Sequence, residues 1–415
     1  MTAPENTSFH VMAKPVGARC NLDCAYCFYL NKEKLPGGPP GGHMSDELLE
    51  RFIEQYIQSQ PGSEVVFSWQ GGEPMLLGLE FFQKVVAYQK RYARPGQRIG
   101  NNLQTNGTLM SEEWCAFLKE NCFLVGLSVD GPREIHDHYR KTKNLKPTFD
   151  AVFSAANLLH RYDIPFNTLT CVHRFNGRRP LDVYKFLRQE LNSHYIQFIP
   201  VVQHKDSNRT SPSNWNRHAF PKEGSPLGGP AHPDSIVTPW SVDPDDWGYF
   251  LCRVFDRWLS QDLGKVMVNQ FETLVARRLG APPQLCVYSE TCGNCLALET
   301  DGSVFSCDHY VYPEYRLGNI QTTHLRDIAC SPLQRNFAKA KSDDLPQLCH
   351  QCPYLADCWG ECPKNRLIRT AEGEPGLNYL CRGFRTFFAH ALPGIELIVS
   401  RLRSGRTLKP GGLAR

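Results

Sequence analysis

The chain has 415 residues, 41% hydrophobic and 21% charged, enough for one large domain and a smaller one with a sizeable buried core. A formal net charge of +4 over that length makes no case for a nucleic-acid or membrane partner, and the basic tail (Arg401, Arg403, Arg406, Lys409, Arg415) reads as a solvated end. The opening MTAPENTSFHVMAKP lacks the charged start and apolar core of a secretory signal, and no apolar run is long enough to span a bilayer; the expected location is the cytoplasm, where the 17 cysteines stay reduced and open to metal.

In chain order, short apolar runs at 10–15, 64–69, 99–105, 124–129, 165–172 and 195–201 read as strands. Amphipathic stretches at 45–58, 79–92, 111–120, 149–160 and 180–191 read as helices between them. Six strands alternating with helices predict an α/β fold, a parallel sheet curled into a partial (β/α)6 barrel over 1–235. Residues 203–240 are rich in Pro, Gly and Ser and lack periodicity, so a long surface loop or linker is expected there. A connecting helical segment, 236–284, holds a Trp- and Phe-bearing helix at 245–259. The stretch 285–387 is dense in cysteine and poor in regular pattern, a region that needs metal staples, and 388–415 reads as a C-terminal helix and basic tail.

Four polar motifs each follow a predicted strand: the cysteine loop, GGEP (71–74), TNG (105–107) and SVDGP (128–132). Parallel α/β folds build their sites at those carboxyl ends of strands. Cys20, Cys24 and Cys27 stand as C-x3-C-x2-C, and three thiolates on one short loop can hold three irons of a [4Fe–4S] cluster and leave the fourth open for chemistry. The same three cysteines also suit a zinc site with a distant fourth ligand, or an ordinary core. In GGEP the glycines let a ligand approach the backbone, and exposed carbonyls with Glu73 can accept from an ammonium group.

A second array follows. Cys286, Cys292 and Cys307 precede Cys349, Cys352, Cys358 and Cys362, spaced C-x2-C-x5-C-x3-C, and Cys381 comes last. Eight thiolates suffice for two fully ligated [4Fe–4S] clusters, although the four local cysteines could equally close one zinc site. Cys115, Cys122, Cys171, Cys252, Cys295 and Cys330 remain, read as small buried hydrophobes, with Cys295 near enough to the array to be a further candidate.

The first motif resembles the radical S-adenosylmethionine (SAM) superfamily, and the second array resembles the auxiliary-cluster (SPASM) domain of radical enzymes that modify peptides. CNLDCAYCFYL, SWQGGEPMLLGLEFF, LQTNGTL, FLVGLSVDGPREIHDHYR, SCDHYVYPEYRLGNI and LNYLC together resemble the anaerobic sulfatase-maturating enzymes, over 9–387. Members convert an active-site Cys or Ser of a sulfatase into Cα-formylglycine. The resemblance implies three [4Fe–4S] clusters and SAM as cofactors. Cys20, Cys24 and Cys27 would hold the radical cluster; Cys286, Cys292, Cys307 and Cys362 one auxiliary cluster; and Cys349, Cys352, Cys358 and Cys381 the other. It implies SAM contacts at Tyr26, Gly72, Ser128, Arg140 and Val202, with the Arg140 guanidinium suited to the methionine carboxylate. Asp308 would be the proton acceptor while the 5′-deoxyadenosyl radical takes a Cβ hydrogen; a capping carboxylate is the plainer reading of that residue. The implied partners are an unfolded or nascent sulfatase polypeptide and a low-potential electron donor of the flavodoxin or ferredoxin type. The 203–240 segment and the tail after Leu392 depart from the family pattern.

Two rival readings stay open at this stage. A radical enzyme that crosslinks a ribosomal peptide through a thioether or carbon–carbon bond would share every cluster ligand. A zinc-bound structural or nucleic-acid-binding protein would leave GGEP without a purpose.

Overall fold

Strand alternation and side-chain caps build the first half of the molecule. The structure, a computed structural model, describes residues 8–405; the N-terminal residues 1–7, and Arg406, Lys409 and Arg415 of the basic tail, lie outside them. The elements run β1 (His10–Ala13), α1 (Asp46–Ser59), β2 (Glu64–Trp69), α2 (Gly78–Tyr92), β3 (Arg98–Thr105), α3 (Glu112–Glu120), β4 (Phe123–Ser128), α4 (Arg133–Tyr139), α5 (Phe149–Arg161), β5 (Phe166–Val172), α6 (Pro180–Lys185) and β6 (Tyr195–Pro200). The Ser45 and Ser111 side chains accept from the third backbone N–H beyond them and start α1 and α3, each with two acidic residues in its first turn. Leu49, Phe52, Ile53 and Tyr56 of α1 then bury one face against the sheet. The expected helix at 180–191 divides into α6 and one wider π turn, Phe186–Glu190.

All neighbours from β1 to β6 pair in parallel and in chain order. Period-two alternation gives this sheet two faces. Val65, Phe67, Trp69, Leu103 and Val125 are buried, whereas Met12, Ser68, Asn102, Gln104, Ser128 and Cys171 on the opposite face stay partly accessible. That accessible face is the inner surface of the half-barrel.

The second half continues with α7 (Pro244–Arg257), β7 (Met267–Val268), α8 (Asn269–Arg278), β8 (Cys295–Leu298), β9 (Ser303–Phe305), β10 (Arg316–Asn319), α9 (Leu325–Ala329), α10 (Pro332–Asp343), α11 (Gln347–His350), α12 (Leu355–Cys358), β11 (Ile368–Arg369), β12 (Pro375–Leu377) and α13 (Cys381–Arg403). The cysteine-rich region, read from sequence as poor in regular pattern, contributes short strands to the sheet. β8 pairs in parallel with β1, β9 and β10 add antiparallel strands beyond it, and β7 joins β6, giving one mixed sheet of ten strands. Helices α7 and α13 touch backbone to backbone: a Cβ on Gly383 would stand 2.1 Å from the Pro244 oxygen.

The 203–240 segment lacks long elements, as expected, but it is not a free linker. Three short 3-10 turns punctuate it, and it is stitched to the C-terminal region: Glu223 N donates to Arg369 O (2.8 Å), Arg369 N to Pro221 O (2.9 Å) and Tyr312 Oη to Ser207 O (2.8 Å).

Candidate functional site

The chain leaves β1 through Pro15–Arg19 into the cysteine loop, where Cys20, Cys24 and Cys27 are half-buried free thiols. Burial raises all three thiols, Cys20 to about 11, and the neighbouring thiolates add to it at Cys20 and Cys24. The GGEP turn grips the loop from below: Gly72 N donates to Gly17 O (2.8 Å) and Glu73 N to Arg19 O (2.9 Å). A Cβ on Gly72 would lie 1.9 Å from the Arg19 oxygen, so no larger residue fits. Glu73 is turned inward. Its fully buried carboxylate accepts from Met75 N (3.0 Å), Thr105 Oγ1 (2.9 Å) and Asn106 N (2.7 Å), tying GGEP to TNG. Burial outweighs those bonds and raises Glu73 to about 7. The expected ammonium acceptor is thus a structural clasp.

Tyr26 of the loop donates to buried Asp130, which also accepts from Cys171 N (3.0 Å) and pairs with Arg140 at 3.0 Å. Burial opposes charge on Asp130, yet Arg140 holds its carboxyl below the ordinary range. Arg140 Nε is the atom that meets the Asp130 carboxylate, at an angle that makes the contact an ion pair and not a hydrogen bond. Ser128, at the end of β4, accepts from Gln104 Nε2 (3.0 Å) on the inner face. The Val202 side chain is buried, and its carbonyl accepts from Lys364 Nζ (2.9 Å), which joins the end of the barrel sheet to the C-terminal region.

Asp308 is buried at the start of a short 3-10 turn after β9. Lys14, the residue after β1, reaches it at 3.8 Å and donates to Gln70 Oε1 (2.7 Å), with its ammonium over the Tyr29 ring. Burial works against the Asp308 charge, but His309 and Lys14 prevail and keep the carboxyl below its usual value. Tyr29 in turn donates to buried Glu299, which burial raises to about 8.

Among the later cysteines burial raises the thiols and neighbouring thiolates raise one another's further, and Cys295 too is raised by Cys286. Cys307 feels Cys362 and Cys286, and Cys362 feels Cys292 and Cys286; Cys358 and Cys381 each feel Cys349, and Cys349 feels Cys352. A chain reversal separates Cys358 from Cys362: Trp359, Gly360 and Glu361 are three consecutive left-handed residues, at φ 48°, 66° and 53°. Arg366 lies near several of these thiols. It is buried, influenced by Cys349, Cys362 and Cys292, and its Nε and Nη1 have no partner. All 17 cysteines are free thiols. Among the described residues no group of three or more His, Cys, Asp or Glu closes on a single metal ion. A cluster spreads its irons, so its thiolates need not meet at one point, and thiol sets that are mostly half-buried and lie beside the Arg140 and Arg366 guanidinium groups fit an anionic iron–sulfur group.

Residues 15–187 match the radical SAM superfamily, and 286–353 match an iron–sulfur cluster-binding domain, SPASM. A serine-type anaerobic sulfatase-maturating enzyme of Bacteroides thetaiotaomicron is 44% identical over 96% of this chain and 93% of its own. The chain belongs to the anaerobic sulfatase-maturating enzymes. A cysteine-type member from Clostridium perfringens strain 13 is 31% identical over 95% of this chain and 99% of its own. The solved structure of native anSMEcpe with bound AdoMet and Cp18Cys peptide superposes with a TM-score of 0.80 at 32% identity, covering 95% of this chain and all of that one.

Seen as a sulfatase-maturating enzyme, the chain brings Tyr26, Arg140 and the cysteine loop into one cluster of contacts, and sets Asp308 beside the end of β1. Lys14 and Asp130 were not singled out from the sequence. Each carried a signal, a lone charge at the end of an apolar strand that buries on folding. Cys122 proves exposed, in a turn at φ 53°, while Cys115 and Cys252 are buried as expected. Among the described residues no helix is long and apolar enough to cross a membrane.

Proposed function

We propose that this enzyme oxidises the active-site Cys or Ser of an unfolded or nascent sulfatase polypeptide to Cα-formylglycine, in the cytoplasm, with three [4Fe–4S] clusters. Cys20, Cys24 and Cys27 hold the radical cluster; Cys286, Cys292, Cys307 and Cys362 hold one auxiliary cluster, and Cys349, Cys352, Cys358 and Cys381 the other. When bound, the radical cluster and SAM supply the radical that removes one hydrogen from the target Cβ. Arg140, held in place by Asp130, offers its guanidinium to the SAM carboxylate, with Tyr26, Gly72, Ser128 and Val202 shaping the rest of that pocket. Asp308 takes the proton from the target thiol or hydroxyl; the remaining electron would pass to a bound iron–sulfur cluster, and for a Cys target water would replace the sulfur, which leaves as sulfide. A base for that purpose must be ionised and fixed, and the Lys14 contact at 3.8 Å supports both. This contact is the observation that carries the reading, because Lys14 stands between the cysteine loop and Asp308.

The test is anaerobic turnover of synthetic Ser and Cys target peptides with SAM and dithionite, the target Cβ carrying deuterium. Formylglycine trapped as a hydrazone, with deuterium recovered in 5′-deoxyadenosine, is the expected result. A product that has lost two hydrogens but yields no hydrazone would mean a crosslink instead.

A further inference from the structure

Residues 141–147 form a small hairpin that the proposed chemistry does not use. Lys141 bridges to Pro147, Thr142 N donates to Lys146 O (3.0 Å) and Leu145 N to Thr142 O (2.8 Å). The hairpin lies directly on the cysteine loop: Leu22 bridges to Thr142, and Asp23 N donates to Lys141 O (2.8 Å). Leu145 sits at its tip, 72% exposed at φ 58°. A branched residue held there costs about 1 kcal/mol or more and buries nothing, so the chain's own stability gives it no purpose.

The surroundings are basic and aromatic. Lys143 and Lys146 are exposed, Lys141 is half-exposed, and none of the three joins an ion pair among the described residues. Arg19, beside Cys20, is exposed as well; Asp23 is the single exposed carboxylate on the cysteine loop. Next to the lysines, exposed His138 and Phe175 stack at 3.9 Å. From His138 a line of rings runs inward through Tyr139 (4.4 Å) to Tyr26 (5.8 Å), within the cysteine motif. A net charge of +4 gives the whole protein little field, so this local cluster is what an approaching acidic partner would sense.

We propose that the 141–147 hairpin, with the His138–Phe175 edge, is the docking surface for a small acidic electron-transfer protein that delivers one electron to the cluster of Cys20, Cys24 and Cys27. The proposal rests on the reading that those three cysteines hold a reducible cluster. The donor loses one electron and the cluster gains it; no bond is made or broken. Lysines steer the encounter, and Leu145 and Phe175 supply the apolar contact that fixes it. A partner seated there stands one backbone hydrogen bond from the ligand-bearing loop.

The reconstituted full-length enzyme tests this with two reductants, an acidic flavodoxin in its hydroquinone form and dithionite. In K143E/K146E the rate of cluster reduction by flavodoxin should fall about tenfold to hundredfold and lose its salt dependence. K143R/K146R should keep the rate, and Leu145→Ser should weaken flavodoxin binding. Dithionite-driven SAM cleavage and the KM for target peptide should not change in any of them. Equal flavodoxin rates in K143E/K146E and the unaltered enzyme would overturn the proposal. So would a raised peptide KM with unchanged donor kinetics, which would assign the surface to the substrate. Failure of dithionite to reduce the unaltered enzyme would instead defeat the cluster reading beneath it.

Discussion

Gly72→Ala adds one methyl group where the cysteine loop is most closely held. The new Cβ would stand 1.9 Å from the Arg19 oxygen, 2.4 Å from its carbonyl carbon and 2.9 Å from that of Ala18. Ordinary contact begins at 3.4 Å, so the Ala18–Arg19 backbone must retreat by about 1.5 Å. Such a retreat breaks the Gly72 N–Gly17 O and Glu73 N–Arg19 O bonds, now 2.8 and 2.9 Å long. Two lost backbone bonds and the overpacking together cost about 2–5 kcal/mol. Cys20 follows Arg19 directly, so its thiol moves with the loop, and a metal site tolerates only a few tenths of an ångström. Anaerobic reconstitution followed by iron and sulfide analysis reads the result. About twelve irons per chain should fall to about eight, with the auxiliary signals kept and SAM cleavage down by about 100-fold or more. Full iron content with SAM cleavage within about twofold would refute the reasoning.

Asp308→Asn should bind all three clusters and still transfer deuterium from the target Cβ to 5′-deoxyadenosine, while formylglycine formation falls by about 10²–10⁴; near-normal formylglycine would exclude an essential base. His136 is fully buried, and burial lowers it to about 4, so the unfolded chain takes its proton near 6.5 and the folded one does not. Stability should therefore fall as pH drops from about 6.5 towards 4, by up to about 3 kcal/mol from this residue, and His136→Gln should flatten the slope in denaturant titrations. Deleting 219–229 removes buried Phe220 and the bonds to Arg369, so about 4 kcal/mol of stability should be lost along with peptide affinity; an unchanged denaturation midpoint would mark the segment as a passive loop.

The parallel sheet was legible because its strands are flanked by amphipathic helices, two of them started by the Ser45 and Ser111 caps. The run at 64–69 becomes Glu64–Trp69 without adjustment, and the others shift by a residue or two. β8, β9 and β10 were not legible. They are four, three and four residues long, too short for a period, and β8 finds its partner some 285 positions away, with His10 opposite Cys295. The chemistry-bearing residue types could be read; which way they face could not. Glu73 looked like a ligand because it follows two glycines, yet three donors from its own neighbourhood turn it inward. The left-handed turn at 359–361, between Cys358 and Cys362, was not legible either, since only one of its three residues is a glycine that would announce it.

β1 is hydrogen-bonded on both sides, to β2 and to β8, in a ladder from His10–Cys295 to Ala13–Leu298. The two halves of the chain are therefore not interchangeable cassettes. A fragment ending near 280 would leave the strand that leads into the cysteine loop with a bare edge, and such an edge recruits other chains. Recombination between related maturases would have to move 295–319 together with whatever lies beyond it, with crossovers in the stretch 279–294. Selection for new substrates is then confined to loops laid over a scaffold whose two parts inherit one another's register.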